Sequence, residues 1–291
     1  MSVIGSQDST STVVSDGGAG VAAPRTGLRT PGRPSRGPRA GKAGDRAFLY
    51  GGRIAVGVAF IVAWELASGR LWDEFSISKP SAIGGRLREL SASGELWDHL
   101  QVTMTETLLG LVIGMAGGIL LGLLIATSKR IGQLFYPYII ALYSLPRVAL
   151  APLFIVWFGI GLTAKVVMVV TMVLFVAFYN TYEGVRNIDK DLLDMARSMR
   201  RGRLETLRWV ILPSITPWLL TSLRLSIGLG LIGAVISELV AATEGLGYYI
   251  KLSSNLFDTT GVFAGLIVIT LVAMVLEQLV VLLERRVLRY R

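Results

Sequence analysis

Arg147 and Glu238 are two of the charged side chains inside long apolar stretches of this 291-residue sequence, where a charge is expensive to bury. Arg147 follows Pro146 in the apolar stretch 134–156, and Glu238 stands near the end of the stretch 215–241. A guanidinium at membrane depth can attract an anionic solute along a path through the protein. It can instead pair with a carboxylate such as Glu238, or bind carbonyl oxygens that a kink at Pro146 releases. The sequence leaves both interpretations of Arg147 open.

The remaining reactive side chains argue against an enzyme. The chain has no cysteine and a single histidine, His99, so thiolate nucleophiles, histidine metal clusters and histidine proton relays lack the residues to build them. The motif G-x-x-x-x-G-K-[ST] does not occur, so we expect no nucleotide site in this chain. We therefore predict no catalytic residue, no metal and no cofactor, and an intramembrane enzyme is the weaker alternative.

The composition indicates a membrane protein, because 52% of the residues are hydrophobic and the mean hydropathy is +0.59. A helix needs about 20 mostly apolar residues to cross the hydrocarbon core of a bilayer. We predict an all-α, polytopic membrane protein whose membrane domain covers residues 47–291. Six apolar stretches predict six transmembrane helices, at 48–68, 105–127, 134–156, 163–183, 215–241 and 262–283.

Two of these stretches have internal features that affect packing. The second has a glycine at every fourth position, which strips side chains from one face and lets another helix approach closely. These glycines are Gly110, Gly114, Gly118 and Gly122. The third contains three prolines, which predict kinks because each removes a backbone donor. They are Pro137, Pro146 and Pro152.

Positive charge predicts the topology. With the N-terminus in the cytoplasm, the inner segments hold 21 of the 29 lysines and arginines, and the outer segments hold 6. Both termini are therefore expected in the cytoplasm. The net charge of +9 then reflects topology and anionic lipid rather than nucleic acid. The first 46 residues are basic and rich in Pro, Gly and Ser, which predicts a disordered cytoplasmic tail.

Other charged or polar residues are expected near the membrane surfaces. Residues 81–100 have helical apolar spacing and predict a helix on the outer surface, with His99 as a polar surface residue. Arg224 is expected to extend toward the inner headgroups. Glu106 and Glu277 are expected to be interfacial charges, because each stands within a turn or two of the end of an apolar stretch.

A strongly charged segment, DLLDMARSMRRGRLETLRWVILP at 191–213, lies between the fourth and fifth stretches. Apolar residues recur at spacings of three and four on each side of Gly202, which predicts two short helices joined by a turn. Pro213 and Pro217 are expected to mark the start of the fifth span. Composition alone also allows an amphipathic hairpin that lies on the inner leaflet.

This segment resembles the Glu-Ala-Ala signature of permease subunits of bacterial ABC importers. The positions that match the signature are Asp194, Met195 and Ala196 at its start and Val210, Leu212 and Pro213 at its end. The chain departs from the signature with Met195 in place of Ala and with Arg200 in place of Gly. Because a left-handed conformation at Arg200 would cost about 1 kcal/mol, we expect the turn at Gly202.

The resemblance covers about residues 76–255 and points to the branch that serves sulfonates, taurine, nitrate and related small solutes. The segments that carry it, in chain order, are KPSAIGGRL, LPRVALAPLFIVWFGIG, NTYEGVRNIDKDLLDMARSM, LPSITPWLLTSLRLSIG and SELVAATEGLGYYI. It implies the type I ABC importer permease fold, with coupling helices at about 187–213 that dock on a cytoplasmic ATPase, and it places Glu238 near the outer gate. The implied coupling residues are Asp191, Asp194, Met195, Ala196, Met199, Arg200, Gly202, Leu212 and Pro213.

The resemblance also implies the partners: two copies of a cytoplasmic ATPase, an extracytoplasmic solute-binding protein and the lipid bilayer. Six spans are too few to enclose a gated path alone, so we expect a second permease copy in a homodimer, or a homologue in its place. We therefore expect the membrane-spanning permease subunit of an ATP-driven importer, in the inner membrane, for a small anion such as a sulfonate, taurine or nitrate. The alternatives are the same permease type for a vitamin or its precursor, and a stand-alone channel or secondary carrier.

Overall fold

The computed structural model describes residues 41–70, 73, 75–199 and 202–288. The chain divides after Ile54, and the unit Ala55–Arg291 contains the helical bundle. All regular elements within the described ranges are helical, which confirms the all-α prediction. They are α1 (Gly41–Ala67), α2 (Pro80–Ser93), α3 (Glu95–Ala126), α4 (Lys129–Tyr143), a 3-10 turn (Arg147–Leu150), α5 (Ala151–Phe158), α6 (Leu162–Arg186), α7 (Lys190–Ser198), α8 (Arg203–Thr206), a π segment (Leu207–Ile211), α9 (Leu212–Ala241), α10 (Leu246–Asn255) and α11 (Thr259–Leu288).

Most of the predicted spans are found as long apolar helices. In the described part of the chain, four helices are long and apolar enough to cross a membrane: Glu95–Ala126, Leu162–Arg186, Arg203–Ala241 and Thr259–Arg286. A bent pair, Arg130–Tyr143 with Arg147–Phe158, gives a fifth if the pair counts as one span. The first predicted span lies in α1, which begins at Gly41, earlier than the predicted end of the tail at residue 46. The rest of the predicted tail lies outside the described residues.

The glycine repeat of α3 faces α6 at the centre of the bundle. A Cβ atom added at Gly114 would lie 2.9 Å from the Cβ of Val173, and one added at Gly122 would lie 2.7 Å from the Cβ of Thr181. Any side chain at these positions would force the two helices apart. The predicted close approach is therefore confirmed, and it brings the polar residues of α3 within reach of those on α6.

The third predicted span is broken rather than kinked. Its two helical parts are bent by 78° around a gap between Tyr143 and Arg147. Pro146 lies at this gap with ψ 87°, outside the helical range. Pro137 stays inside α4, and Pro152 lies at the start of α5, where a helix needs no donor. The prediction of one kinked helix over 134–156 is corrected, because Pro146 alone ends the helical path.

The predicted surface helix at 81–100 ends earlier than expected. Gly94 adopts the left-handed conformation, with φ 88°, which ends α2 and lets α3 begin at Glu95. Residues 95–100 therefore form the first turns of α3. The prediction of His99 as a surface residue is wrong, because its ring is turned into the protein and its Nδ1 accepts a hydrogen bond from the Gly245 N–H at 3.1 Å.

Candidate functional site

The inward face of α7 is held against the start of the fifth span. Leu193 packs against a buried cluster formed by Ile188, Ile211 and Ile215. Ala196 is also buried, with 3% of its surface exposed. Ala196 is one of the implied coupling residues, and that role stays a prediction; its burial means that it can position α7.

The outward face of α7 is apolar and lies uncovered by any part of the chain that the structure describes. It is formed by Leu192, Met195 and Met199, and the two methionines are 59% and 57% exposed. We call these three residues the methionine face. Asp191 and Asp194 are exposed on the neighbouring side of the helix. Asp191 lies in the first turn, where a negative charge opposes the positive end of the helix dipole.

The second short helix predicted for this segment is the beginning of the fifth span. The chain turns at Gly202, which is extended with φ −65° and ψ 161°, and then enters a continuous helical stretch of 39 residues, Arg203–Ala241. Gly202 does not use the left-handed conformation that we considered for Arg200, and Arg200 itself lies outside the described residues. The prediction of two separate short helices is therefore corrected to one short helix and one long one.

A π segment accommodates the prolines at the start of this long helix. The Leu212 N–H donates to the carbonyl of Leu207, five residues earlier, which widens the turn. Pro213 follows directly and has no N–H, and Pro217 lies inside α9. The wide turn relieves the clash that a proline ring makes with the preceding turn of a regular helix. The helix is continuous, so movement of its first residues is passed along its whole length.

Arg147 is fixed at the break of the third span. Its Nη2 donates to the carbonyl oxygen of Tyr143 at 2.9 Å, and its guanidinium lies 4.8 and 4.9 Å from the ring centres of Tyr143 and Phe175. Its Nε is buried without a hydrogen-bond partner among the described residues. Of the two structural roles that we predicted, the carbonyl contact is present, whereas Glu238 bonds to other groups. The break is exposed at Pro146.

Glu238 is fully buried and binds the start of α10. Its Oε2 accepts a hydrogen bond from the Gly247 N–H at 2.6 Å, and its Oε1 accepts one from Thr103 Oγ1 at 2.7 Å. Thr103 Oγ1 in turn accepts a bond from the Leu246 N–H at 2.9 Å. The first N–H groups of a helix have no partner within the helix. Here side chains from α3 and α9 provide those partners, so Glu238 joins three helices.

A second buried carboxylate adjoins Glu238. Glu106 Oε1 accepts a hydrogen bond from Lys165 Nζ at 2.6 Å, and both side chains are buried. Thr103, which donates to Glu238, lies one turn before Glu106 on α3, so the two carboxyl groups are on the same side of that helix. The prediction of Glu106 as an interfacial charge is therefore wrong, because α3 and α6 turn Glu106 and Lys165 toward each other. We call Glu106, Lys165 and Glu238 the carboxylate cluster.

Arg224 forms a separate ion pair, about four turns before Glu238 on α9. Its Nη2 and Nε donate to Glu277 Oε1 at 2.6 and 3.0 Å, and both side chains are about half exposed in the single chain. We expected Arg224 to reach the inner headgroups and Glu277 to be interfacial; both stay predictions, and the structure adds that the two side chains bind each other. Opposite charges on α9 and α11 satisfy each other at lower cost than two isolated charges in lipid.

The sequence contains a signal for the carboxylate cluster, which is visible only when the polar residues of α3 are considered together. His99, Thr103 and Glu106 are spaced by four and three residues, so they share one face of α3. A polar stripe on one face of an apolar helix indicates polar partners inside the bundle. The partner Lys165 gave no such signal, because it stands at the start of an apolar stretch, where lysine commonly faces the headgroups.

The described residues contain no group of three or more His, Cys, Asp or Glu side chains that could hold a metal ion. One turn before Thr103 on α3, the ring of His99 lies 5.9 Å from that of Tyr249 and 6.0 Å from that of Tyr248. Burial raises the pKa of the Tyr249 phenol, so this side chain stays neutral at physiological pH. The chemistry available here is hydrogen bonding and charge pairing between helices.

Comparison with known proteins gives consistent results across most of the chain. The family model described as "Binding-protein-dependent transport system inner membrane component" matches residues 118–289. A Bacillus subtilis permease protein named for aliphatic sulfonates transport, SsuC, is 31% identical over 251 residues, covering 86% of this chain and 91% of that protein. The formylaminopyrimidine transport permease protein ThiX of Halalkalibacterium halodurans is 32% identical over 211 residues, covering 72% and 84%.

The fold also has a relative among solved structures. The crystal structure of an amino acid ABC transporter with histidines contains a chain that superposes with a TM-score of 0.55 at 20% identity. The superposition covers 69% of this chain and 97% of that chain. This similarity concerns the arrangement of the helices.

Proposed function

The chain belongs to the family of binding-protein-dependent transport system inner membrane components, and we propose that two copies of it enclose a solute path at the broken third span. Members of this family are membrane-spanning permease subunits of ABC importers. The chain is therefore a multi-pass translocation subunit, and ATP hydrolysis is the task of a partner ATPase. From the distribution of Lys and Arg, we place both termini and α7 on the cytoplasmic side.

The exposed break in the third span carries this proposal. Residues 144–150 are exposed or half-exposed in the single chain. Non-helical backbone at membrane depth is tolerated only where protein or water covers it, because lipid offers no hydrogen bonds. A second copy that faces the break would provide this cover and leave a path between the two copies. Arg147 would then lie beside the path, near the middle of the membrane.

Arg147 supports a small anion as the solute. Its guanidinium is half-exposed, and its contacts with Tyr143 and Phe175 hold it in place without neutralising its charge. The similarity to a permease named for aliphatic sulfonates supports the sulfonate class. The similarity to a permease named for formylaminopyrimidine transport supports a vitamin precursor as the second candidate.

The methionine face is the part of the chain that we expect to dock on the ATPase. A short helix fixed from behind by Leu193, with exposed methionines in front, suits the helix-in-groove mode of recognition. Each of two permease copies would bind one ATPase. Closure of the ATPases would move α7 and the start of the fifth span together, because both pack on the same isoleucine cluster.

Co-purification tests the docking. The double variant Met195→Glu with Met199→Glu, and separately Asp194→Lys, should release the ATPase while the permease remains folded. The matched control is Leu256→Glu, which places the same charge on a side chain that is 70% exposed next to α10, at the far end of the fifth span. Retention of the ATPase by both α7 variants would contradict the docking.

Cross-linking tests whether a second copy faces the break. The chain has no cysteine, so an introduced cysteine is the only thiol in it that the reagent can modify. Val156→Cys, on α5 beside the break and 79% exposed, should give a covalent dimer in membranes with a short bifunctional thiol reagent. Leu282→Cys, on α11 and 59% exposed, should remain monomeric. Equal cross-linking at both positions would indicate random collision and would remove the support for a dimer that faces the break.

Uptake tests the role of Arg147. In cells that carry the full transporter, Arg147→Met should abolish uptake of a labelled aliphatic sulfonate, and Arg147→Lys should keep part of it. Co-purification of the ATPase should be unchanged in both variants. Normal uptake by Arg147→Met would limit Arg147 to its contact with the Tyr143 carbonyl.

A further inference from the structure

The carboxylate cluster contains two acidic groups and one basic group, and all three side chains are buried. Glu106 and Glu238 are 1% and 0% exposed, and Lys165 is 7% exposed. If both carboxyl groups were ionised, one lysine would balance only one of them. A buried, unbalanced carboxylate has a large desolvation cost. The helices that contribute to the cluster also carry the titratable side chains His99, on α3, and Tyr248 and Tyr249, on α10.

The hydrogen bonds show where a partner is missing. Glu238 uses both oxygens to accept bonds from Thr103 and from the Gly247 N–H. Glu106 uses Oε1 to accept a bond from Lys165. Its Oε2 is buried and has no donor among the described residues. A carboxylate only accepts hydrogen bonds, whereas a protonated carboxyl group carries its own donor.

We propose that Glu106 and Glu238 hold one proton between them, which makes the carboxylate cluster electrically neutral. One carboxylic acid, one carboxylate and one ammonium group then balance. Two buried carboxyl groups beside a single cation are costly to keep ionised together, and paired carboxyl groups in other proteins hold one proton for this reason. The site is a proton-binding site, and it does not depend on the identity of the solute.

Infrared spectroscopy of the full chain in a detergent that contains no ester or carboxyl group tests the proposal. Among the groups of the protein, only a protonated carboxyl group gives the high-frequency carbonyl stretching band, and this band shifts when H2O is replaced by D2O. Wild-type protein at neutral pH should show the band. Glu106→Gln and Glu238→Gln should each remove it, because either variant leaves one carboxylate balanced by Lys165 and no need for a proton.

The matched control is Glu277→Gln, which changes another carboxylate within the long helices that is already balanced by Arg224. The band should remain in this variant. Absence of the band in wild-type protein would overturn the proposal, and so would its persistence in both cluster variants. Transport, dimerisation and ATPase binding do not enter the measurement, so their outcome leaves this test unaffected.

A second measurement covers the case in which a glutamine variant fails to fold. Wild-type protein with carbon-13 in the glutamate side chains should show the band at lower frequency, whereas protein with carbon-13 in the aspartate side chains should not. A band that moves with aspartate labelling would place the proton elsewhere and overturn the assignment.

Discussion

The two ends of the fifth span are built in opposite ways. At the α7 end, the methionine face is apolar and uncovered by the described chain, and only the inward side of the helix is packed. At the α10 end, charged groups are buried, and Glu238 receives hydrogen bonds from two other helices. One continuous helical stretch, Arg203–Ala241, joins the two ends.

Because of this difference, we expect one end of the fifth span to determine the stability of the single chain and the other end to determine its binding to a partner. The α10 end satisfies its polar groups within one chain, so changes there should affect the folding of the isolated permease. The α7 end leaves apolar surface for a partner, so changes on its outer face should affect binding more than folding. A rigid helix between a closed end and an open end is a simple way to pass movement from an ATPase to the far side of the bundle.

The largest effect is expected from Lys165→Met. This change removes the cation from a buried ion pair and leaves Glu106 and Glu238 without a positive partner. Removing one member of a buried pair typically lowers the free energy of unfolding by about 3–5 kcal/mol. Denaturant titration of the purified chain in mixed micelles measures the loss.

Lys251→Met is the matched control, since Lys251 lies on α10 and donates to an exposed carbonyl, that of Val240. Loss of such a bond should lower the free energy of unfolding by about 1 kcal/mol or less. Equal effects at Lys165 and Lys251 would show that the carboxylate cluster contributes no special stability, and the contrast between the two ends would fail.

A smaller loss is expected from Gly245→Ala. Gly245 has φ 114°, and a Cβ atom there would overlap the carboxyl group of Glu238. Overpacking and the unfavourable backbone conformation together should lower the free energy of unfolding by about 2–4 kcal/mol. The same titration measures it, and an alanine variant as stable as wild type would show that the start of α10 is not held tightly by Glu238.

Much of the fold could be predicted from the sequence because local patterns determine it. Apolar length located four of the six predicted spans, or five with the bent pair, and the glycine repeat of α3 predicted the close contact with α6, since both signals lie within one segment. The sequence predicted a change of direction at Pro146 but not its size. A proline indicates a kink, but neighbouring helices decide whether the chain bends slightly or by 78°.

The carboxylate cluster could not be predicted in the same way, because its members come from distant parts of the chain. Glu106 and Lys165 each stand near the end of an apolar stretch, where a charge is usually interfacial. Only the packing of α3 on α6 turns them inward. The sequence also did not show that the charged segment 191–213 continues into the fifth span. Pro213 and Pro217 indicate the start of a helix, and residue types do not reveal a π segment.

A moderate effect is expected when α7 is tested on its two faces. Leu193→Ala removes a partly buried side chain from the isoleucine cluster and should lower the stability of this helix by about 1–2 kcal/mol. Hydrogen exchange of the α7 amides in the isolated permease measures this local loss. Leu192→Ala, on the exposed methionine face, should leave the exchange unchanged and weaken binding of the ATPase. The reverse pattern would mean that α7 is packed the other way round.

The smallest effect is expected from Gly202→Ala, the counterpart of Gly245→Ala at the other end of the same helix. Gly202 has φ −65°, and a Cβ atom there would meet open space. Alanine restricts the unfolded chain, which favours folding by about 0.4–1 kcal/mol. Alanine is also a poorer residue than glycine before a helix start, which opposes folding by an amount of about the same size. The two effects should cancel to within about 0.5 kcal/mol by denaturant titration.

A loss as large as that of Gly245→Ala would show that the turn at Gly202 needs a conformation that only glycine adopts, and the α7 end would then be as tightly constrained as the α10 end.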